Sequence, residues 1–175
     1  MRIVGGRFGG RRLAAPPGRS TRPTADRVRQ ALFSILGPLD GVRVLDLYAG
    51  TGALGLEALS RGAGAVTFVE RDPKAVRGIT ANLAALGAEA GVVRRDALAF
   101  LRDVAGGPFE LVLCDPPYSL APRVARPLSE LLPPLLSPDA RIVTESDRRS
   151  PLELGLPLET ERTYGDTRIA VHRGG

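Results

Sequence analysis

Short apolar runs alternate with amphipathic stretches from residue 41 onward, and this alternation limits the folds that the chain can adopt. The runs have the length and composition of buried strands and lie at 42–48, 65–70, 92–95, 109–114 and 141–145. The stretches between them have helical spacing and lie at 53–61, 73–86, 97–104 and 123–136. Strands that alternate with helices predict an α/β fold, a mostly parallel sheet with helices on both faces.

The two ends of the chain depart from this alternation. Two runs near 157–164 and 167–172 flank a Gly-Asp turn, which predicts a closing antiparallel hairpin. The first 23 residues are rich in Gly, Arg and Pro, which predicts a small hairpin and an extended linker before a helix that Thr24 caps. We therefore expect a basic arm over 1–23 and a compact α/β unit over 24–175, together a single domain.

Positive charge is concentrated at the amino end of the chain. Residues 1–30 hold eight arginines and one acid, a net charge of +7, whereas the whole chain carries +5. A basic arm on a nearly neutral body favours a nucleic-acid partner, and a solvated surface is the alternative. The candidate RNA contacts are Arg7, Arg11, Arg12 and Arg22.

Composition and length exclude several other classes. One cysteine cannot form an internal disulfide, there is no Cys/His cluster with metal-ligand spacing, and no apolar run has membrane-spanning length. The basic amino end has no apolar core of a signal peptide. We expect a cytoplasmic, monomeric protein with no metal and no membrane contact.

A glycine-rich segment, DLYAGTGALG at 46–55, follows the first strand of the sheet. Gly50, Gly52 and Gly55 form G-x-G-x-x-G, and Glu70 ends the next strand. This pattern is typical of a nucleoside cofactor site, and tight packing of a helix on a strand is the simpler alternative. Two cofactors remain open on the motif alone, a nicotinamide dinucleotide and S-adenosylmethionine.

Acidic side chains close three of the strands and favour the second cofactor. Asp46, Glu70 and Asp96 end the first, second and third strands. Carboxylates suit a ligand with an ammonium and a sulfonium group, and they would repel the pyrophosphate of a dinucleotide. Tyr48, in the glycine loop, is expected to pack near this pocket.

The stretch FELVLCDPPYSL, residues 109–120, ends the fourth strand on an unusual combination. Asp115 and the carbonyl group of Pro116 offer two acceptors for an amino group on a base, and Pro116 and Pro117 fix the backbone that carries them. Tyr118 can stack on an extruded base. A rigid turn after a core strand is the alternative.

Taken together, these motifs resemble those of the RsmD-type bacterial 16S rRNA (guanine-N2)-methyltransferases. The resemblance rests on RIVGGRFGGRRL at the start, RPTADRVRQALFSIL, DLYAGTGALGLEALSRGA, VERD, CDPPY and YGDTRIAV in the tail. It implies a Rossmann-like class I methyltransferase fold, S-adenosylmethionine as the donor and a guanine of 16S rRNA, bare or in the small ribosomal subunit, as the acceptor.

The resemblance also implies roles for individual residues. Asp46, Gly50 and Gly52 would surround the methionine part of the cofactor, Glu70 its ribose, and Asp96 with Ala97 its adenine. Thr24 and Arg27 would close over the cofactor carboxylate. Asp115, Pro116 and Tyr118 would hold the target base.

Three other functions stay open at this point. A DNA adenine-N6 or cytosine-N4 methyltransferase would use the same DPPY motif, although no target-recognition domain is evident. An RNA-binding module without activity would not need both the acids and DPPY. A nicotinamide oxidoreductase would need a catalytic His or Lys pair and a second domain, which the sequence does not offer.

Overall fold

A computed structural model describes residues 1–14, 26–104 and 106–174. Its centre is a seven-stranded sheet with the order β3-β2-β1-β4-β5-β7-β6. The strands are β1 Arg43–Leu47, β2 Ala65–Glu70, β3 Gly91–Arg94, β4 Phe109–Cys114, β5 Leu136–Asp147, β6 Leu158–Tyr164 and β7 Thr167–Arg173. The helices are α1 Asp26–Leu36, α2 Ala53–Ser60, α3 Pro73–Leu86, α4 Ala97–Asp103 and α5 Ala121–Leu131.

The topology matches the α/β fold expected from the alternating pattern. Strands β1 to β5 pair in parallel, and β7 pairs antiparallel with both β5 and β6. The predicted closing hairpin is therefore present, with its second strand inside the sheet and its first strand at the edge. None of the helices in the described ranges is long and apolar enough to cross a membrane.

One predicted element has different bounds. The helix expected over 123–136 ends at Leu131, and a short 3-10 turn spans Pro133–Leu135. Pro133 and Pro134 are adjacent and neither has an N–H to donate to the preceding turn, so the helix ends before them. The residues after it join β5, which begins at Leu136 rather than near 141.

Apolar side chains cover both faces of the sheet. On one face, Phe33 of α1, Leu56 of α2 and Ile79 of α3 belong to the same buried cluster as Phe68 of β2. On the other face, residues of α4 and α5 pack against β1, β4 and β5. This arrangement leaves the carboxyl ends of the parallel strands as the open edge, where ligands bind in folds of this kind.

Residues 1–14 form the small hairpin that the sequence predicts. Arg2 and Arg12 pair antiparallel, and the Ile3 N–H donates to the Arg11 carbonyl at 3.0 Å. Ile3, 1% exposed, and Leu13 enter the core on the α1–α3 face. The predicted boundary of the arm near residue 23 and the Thr24 cap lie outside the described residues, so both stay predictions.

Buried polar side chains attach this hairpin to the helices. Glu57 of α2 is completely buried, and its carboxylate accepts from the N–H groups of Val4 and Gly5 at 2.7 and 2.9 Å. Asn82 of α3 exchanges two hydrogen bonds with the backbone of Ala14, at 2.9 and 3.1 Å. Side chains of α2 and α3 thus bond to backbone groups of the hairpin, as the backbone of a neighbouring strand would do.

Replacing Glu57 by alanine is expected to release the hairpin from α2. The change leaves two partly buried N–H groups without their acceptor and Arg61 without its ion-pair partner, which costs roughly 3 kcal/mol of unfolding free energy. We expect faster amide exchange at Val4 and Gly5 together with a lower thermal midpoint. Glu89→Ala, at an exposed carboxylate, is the matched control. Unchanged exchange at both amides would show that other contacts hold the hairpin.

Candidate active site

A cavity of about 540 Å³ lies at the carboxyl edge of the sheet, bordered by the segments that follow β1 to β4 and by the end of β5. Most of the residues predicted for the site line it: Asp46, Tyr48, Gly50, Glu70, Asp96, Ala97, Asp115, Pro116, Pro117 and Tyr118. The fold therefore brings the glycine loop, the strand-end acids and the DPPY segment into one space.

Two of the predicted residues that the structure describes do not line the cavity. Gly52 and Arg27 are described but do not line the cavity, and Arg27 is exposed on α1. Thr24 lies outside the described residues. The roles predicted for Arg27 and Thr24 over the cofactor carboxylate stay predictions.

Two glycines of the loop serve the packing of α2. Gly52 precedes α2 with a φ of 77°, in the left-handed region that favours glycine. A Cβ on Gly55 would lie 2.3 Å from the Phe68 ring and 2.8 Å from Asp46 Oδ2. A side chain at this position would therefore clash. Glycine lets α2 pack closely on the sheet and lets the Gly55 N–H reach the carboxylate of Asp46.

Asp46 is the deepest acid of the cavity, with 1% of its surface exposed. Its Oδ2 accepts from the Gly55 N–H at 2.9 Å. Burial raises the pKa of Asp46 to about 7, the Gly55 hydrogen bond opposes the rise, and the charge of Glu70 adds to it. A cationic ligand would favour the ionised form, so this position is suited to a positively charged group.

Glu70 holds the glycine loop against the start of α3. Its Oε2 accepts from the Gly50 N–H and its Oε1 from the Asp72 N–H, each at 2.8 Å. Each carboxylate oxygen has a further lone pair with which it could accept a ligand hydroxyl. The predicted contact with a ribose stays a prediction that this geometry permits.

Asp96 begins the next helix at the far side of the cavity. Its Oδ1 accepts from the Ala99 N–H at 3.1 Å and caps α4, of which Ala97 is the first residue. Its other oxygen accepts no hydrogen bond from the described residues. A donor such as an adenine amino group therefore has an acceptor there, as the sequence predicts.

Asp115 and Glu145 stand side by side at the ends of β4 and β5. The pairing of Cys114 with Thr144 brings the next residues of the two strands to the same level. Burial, then the charges of Glu145 and Asp46, raise the pKa of Asp115 well above its usual range. Glu145 was not among the predicted site residues, although it ends the predicted strand 141–145 as Glu70 ends the predicted strand 65–70.

Two carbonyl groups of the DPPY segment accept hydrogen bonds within the fold, and a third faces no donor among the described residues. Those of Pro117 and Tyr118 accept from the N–H groups of Leu120 and Ala121 and begin α5. The Pro116 carbonyl accepts no hydrogen bond from the described residues and remains available for a ligand. Tyr118 is half-buried at the cavity wall.

Tyr48 has a strained backbone within the glycine loop. Its φ of 58° is in the left-handed region, which is unfavourable for a bulky side chain. Burial, then the charges of Cys114 and Asp96, raise the pKa of its hydroxyl group. Such strain is typical of functional sites, and here it turns the chain from β1 into the loop.

The candidate RNA-binding arginines lie on the amino-terminal hairpin. Arg7, Arg11 and Arg12 are exposed, and the Arg7 guanidinium stacks over Phe8 at 4.4 Å. Met1, at the end of the same hairpin, lines the cavity. Arg22 lies outside the described residues.

Comparison with known proteins places the chain among relatives of similar length. A family model described as "Conserved hypothetical protein 95" matches residues 1–173. The "Putative rRNA methyltransferase YlbH" of Bacillus subtilis (strain 168) is 40% identical over 99% of this chain and 98% of its own length. "Ribosomal RNA small subunit methyltransferase D" of Escherichia coli (strain K12) is 45% identical over 67% of this chain and 60% of its own.

A solved structure shows the same fold. The structure titled "Putative methyltransferase yhhF from Escherichia coli" is 36% identical, has a TM-score of 0.83 and covers 99% of this chain and 97% of its own. The predicted methyltransferase-type sheet is thereby confirmed.

Replacing Asp46 by asparagine is expected to change how stability depends on pH. The folded pKa of about 7 exceeds the ordinary value of 3.8, so wild-type stability is lost as pH rises from 3.8 through 7. At 1.36 kcal/mol per pKa unit, the variant should gain on the order of 4 kcal/mol relative to wild type between pH 4 and 8. Urea unfolding of both proteins across this range measures the difference. If the difference in unfolding free energy between the two proteins did not change with pH, Asp46 would not be the titrating group.

Proposed function

This chain belongs to the family described as conserved hypothetical protein 95, as its motifs led us to expect, and we propose that it methylates the N2 amine of a guanine in 16S rRNA with S-adenosylmethionine. The observation that carries the proposal is that Asp115 and the Pro116 carbonyl share a cavity with Asp46 and Glu70. Acceptors for an amino group thus lie beside acids suited to a cationic nucleoside.

The residues of the cavity fit this cofactor. Asp46 is suited to bind an ammonium group, Glu70 a ribose hydroxyl and Asp96 an adenine amino group. Gly50 and Ala97 line the same cavity. The volume of about 540 Å³ is within the usual range for a ligand of this size. The same acids oppose a pyrophosphate, which argues against a nicotinamide dinucleotide. When bound, S-adenosylmethionine supplies an electrophilic methyl group.

The DPPY segment is suited to orient the acceptor. Asp115 and the Pro116 carbonyl can accept from the two N–H groups of an exocyclic amine and aim its nitrogen. Pro116 and Pro117 fix φ, so these acceptors need no reorganisation. Tyr118 can stack on the face of the extruded base.

Asp115 is also placed to receive a proton. Transfer of the methyl carbon to the amine nitrogen would break its bond to the sulfonium sulfur, which would leave as a neutral thioether. The amine nitrogen would then carry the positive charge, and one of its N–H bonds must break. Burial and the neighbouring acids raise the pKa of Asp115, which suits its carboxylate to take up that proton. Neither a covalent nucleophile nor a second co-reactant is required.

The acceptor is proposed to be RNA of the small ribosomal subunit. Support comes from the names of the relatives and from the exposed arginines of the hairpin. We propose that the protein acts as a monomer on bare rRNA or on an assembling subunit. Asp115 and Pro116 alone would equally fit the amino group of adenine or cytosine, so the choice of guanine rests on the resemblance of the motifs to the RsmD-type enzymes.

Transfer of labelled methyl from S-adenosylmethionine to 16S rRNA tests this function. The acceptor is offered bare and as unmodified small subunits, and the labelled nucleoside is identified by mass spectrometry. We expect N2-methylguanosine. Methyladenosine or methylcytosine would contradict the proposed base, and bound cofactor without transfer to any rRNA would contradict the proposed substrate.

Asp115→Ala is expected to lower turnover about 10²-fold or more while cofactor binding persists. The fold should remain at least as stable, because the change removes one of several like charges. Turnover, cofactor affinity by calorimetry and the thermal midpoint are measured together. Glu153→Ala, at an exposed carboxylate outside the cavity, is the control. Unchanged turnover in Asp115→Ala would remove this residue from the mechanism.

Replacing Arg7, Arg11 and Arg12 together by glutamine is expected to weaken RNA binding and reduce its salt dependence. Each phosphate contact contributes roughly 0.7–0.9 to the slope of log affinity against log salt, so the slope should fall by about 2. The control changes three exposed arginines elsewhere, Arg126, Arg162 and Arg173, with the same loss of charge. Equal slopes for the two triple variants would mean that the hairpin makes no special contact.

A further inference from the structure

Glu145 is a buried acid of the cavity with no role in the site as described so far. It lies near the end of β5, is 5% exposed and lines the cavity. Val143, two residues earlier, packs in the same core cluster as Leu113, which is two residues before Asp115. Because side chains alternate along a strand, Glu145 and Asp115 project from the same face of the sheet.

The distance between the two acids is set by the sheet. Their strands pair in parallel, with Leu113 opposite Val143 and Cys114 opposite Thr144. Neighbouring strands lie about 4.8 Å apart, and Asp115 and Glu145 each follow the last parallel pair, so their side chains leave adjacent backbone segments at about that spacing. Such a pair can face two adjacent donors on one edge of a planar ring.

The bases differ in what stands next to the exocyclic amine. Guanine presents three hydrogens in a row, two on N2 and one on N1. Adenine and cytosine present an amine next to a ring nitrogen that carries a lone pair. A carboxylate beside that lone pair would find no hydrogen and would be repelled by it.

The cavity offers one acceptor for each hydrogen of the guanine edge. Asp115 and the Pro116 carbonyl suffice for the amine alone, and Glu145 is a third acceptor on the side of Asp115 away from β1. We propose that Glu145 determines the choice of guanine by accepting a hydrogen bond from N1–H while Asp115 and Pro116 hold N2. This inference rests on the proposed function and adds the residue that separates guanine from the other amino bases.

The test uses an acceptor that keeps the amine and lacks the N1 hydrogen. 2-Aminopurine has an exocyclic 2-amino group next to a ring nitrogen with a lone pair. It replaces the target guanine in an rRNA fragment, and kcat/KM is measured for both RNAs with wild type and with Glu145→Gln. The glutamine amide can donate to that lone pair, so the preference for guanine should fall about tenfold or more in the variant.

Two further measurements separate this effect from a folding defect. Cofactor affinity and the thermal midpoint of Glu145→Gln are compared with wild type, and Glu153→Gln controls for the loss of one charge. If Glu145→Gln turns over neither RNA, the ratio of their equilibrium affinities in a competition assay takes the place of the kinetic ratio. Expected is the same fall in preference for guanine.

The outcomes distinguish this inference from the function beneath it. A folded, cofactor-binding Glu145→Gln that keeps the wild-type preference for guanine would overturn the role of Glu145 and leave the proposed function in place. Wild type that methylates adenine or cytosine instead of guanine would overturn both. A fall in preference with Glu145→Gln, but not with Glu153→Gln, supports the inference.

Discussion

Like charges gathered at one edge of the sheet are the constraint on which this site depends. The register of β2, β1, β4 and β5 places Glu70, Asp46, Asp115 and Glu145 on neighbouring strands, with Asp46 one pleat deeper than the other three. Parallel pairing makes such a row possible because all four strands end at the same edge. The row opposes folding wherever its members are ionised and buried, so gathering these acids in one cavity has a cost in stability.

Backbone N–H groups offset part of this cost, and they tie the acids to the glycine loop. Asp46 depends on the N–H of Gly55, and Glu70 depends on that of Gly50. The hydrogen bond to Asp46 exists only because Gly55 has no side chain, since a Cβ would meet both the carboxylate and the Phe68 ring. The glycine loop and the carboxylates of Asp46 and Glu70 therefore depend on each other. A substitution in the loop changes the electrostatic environment of these two acids.

The sequence predicted the parts of the fold that follow from local pattern and missed those that follow from tertiary contact. The ends of β2 and β4 were predictable because their apolar runs stop at Glu70 and just before Asp115, and the same rule applied to the run at 141–145 would also have selected Glu145. The end of α5 was placed too late because prolines within a helical pattern do not reveal which of them breaks the helix. Pro127 remains inside α5, whereas the helix ends before Pro133. Glu57 had no local signal, because a buried carboxylate on a helix is explained only by the N–H groups that another segment brings to it.

Helix α2 links the two functions that the sequence suggested separately. Its first turn follows the glycine loop, and five positions after Gly52 its Glu57 holds the backbone of the arginine-bearing hairpin. Eight helical residues span about 12 Å, and a helix this short is a rigid spacer. The hairpin also returns to the cavity, where Met1 lies beside Thr51 of the glycine loop, with the sulfur 3.9 Å from the hydroxyl oxygen. The arginine-bearing hairpin is therefore fixed to the wall of the cavity by α2 and by Met1, so its position relative to the strand-end acids is set by the fold.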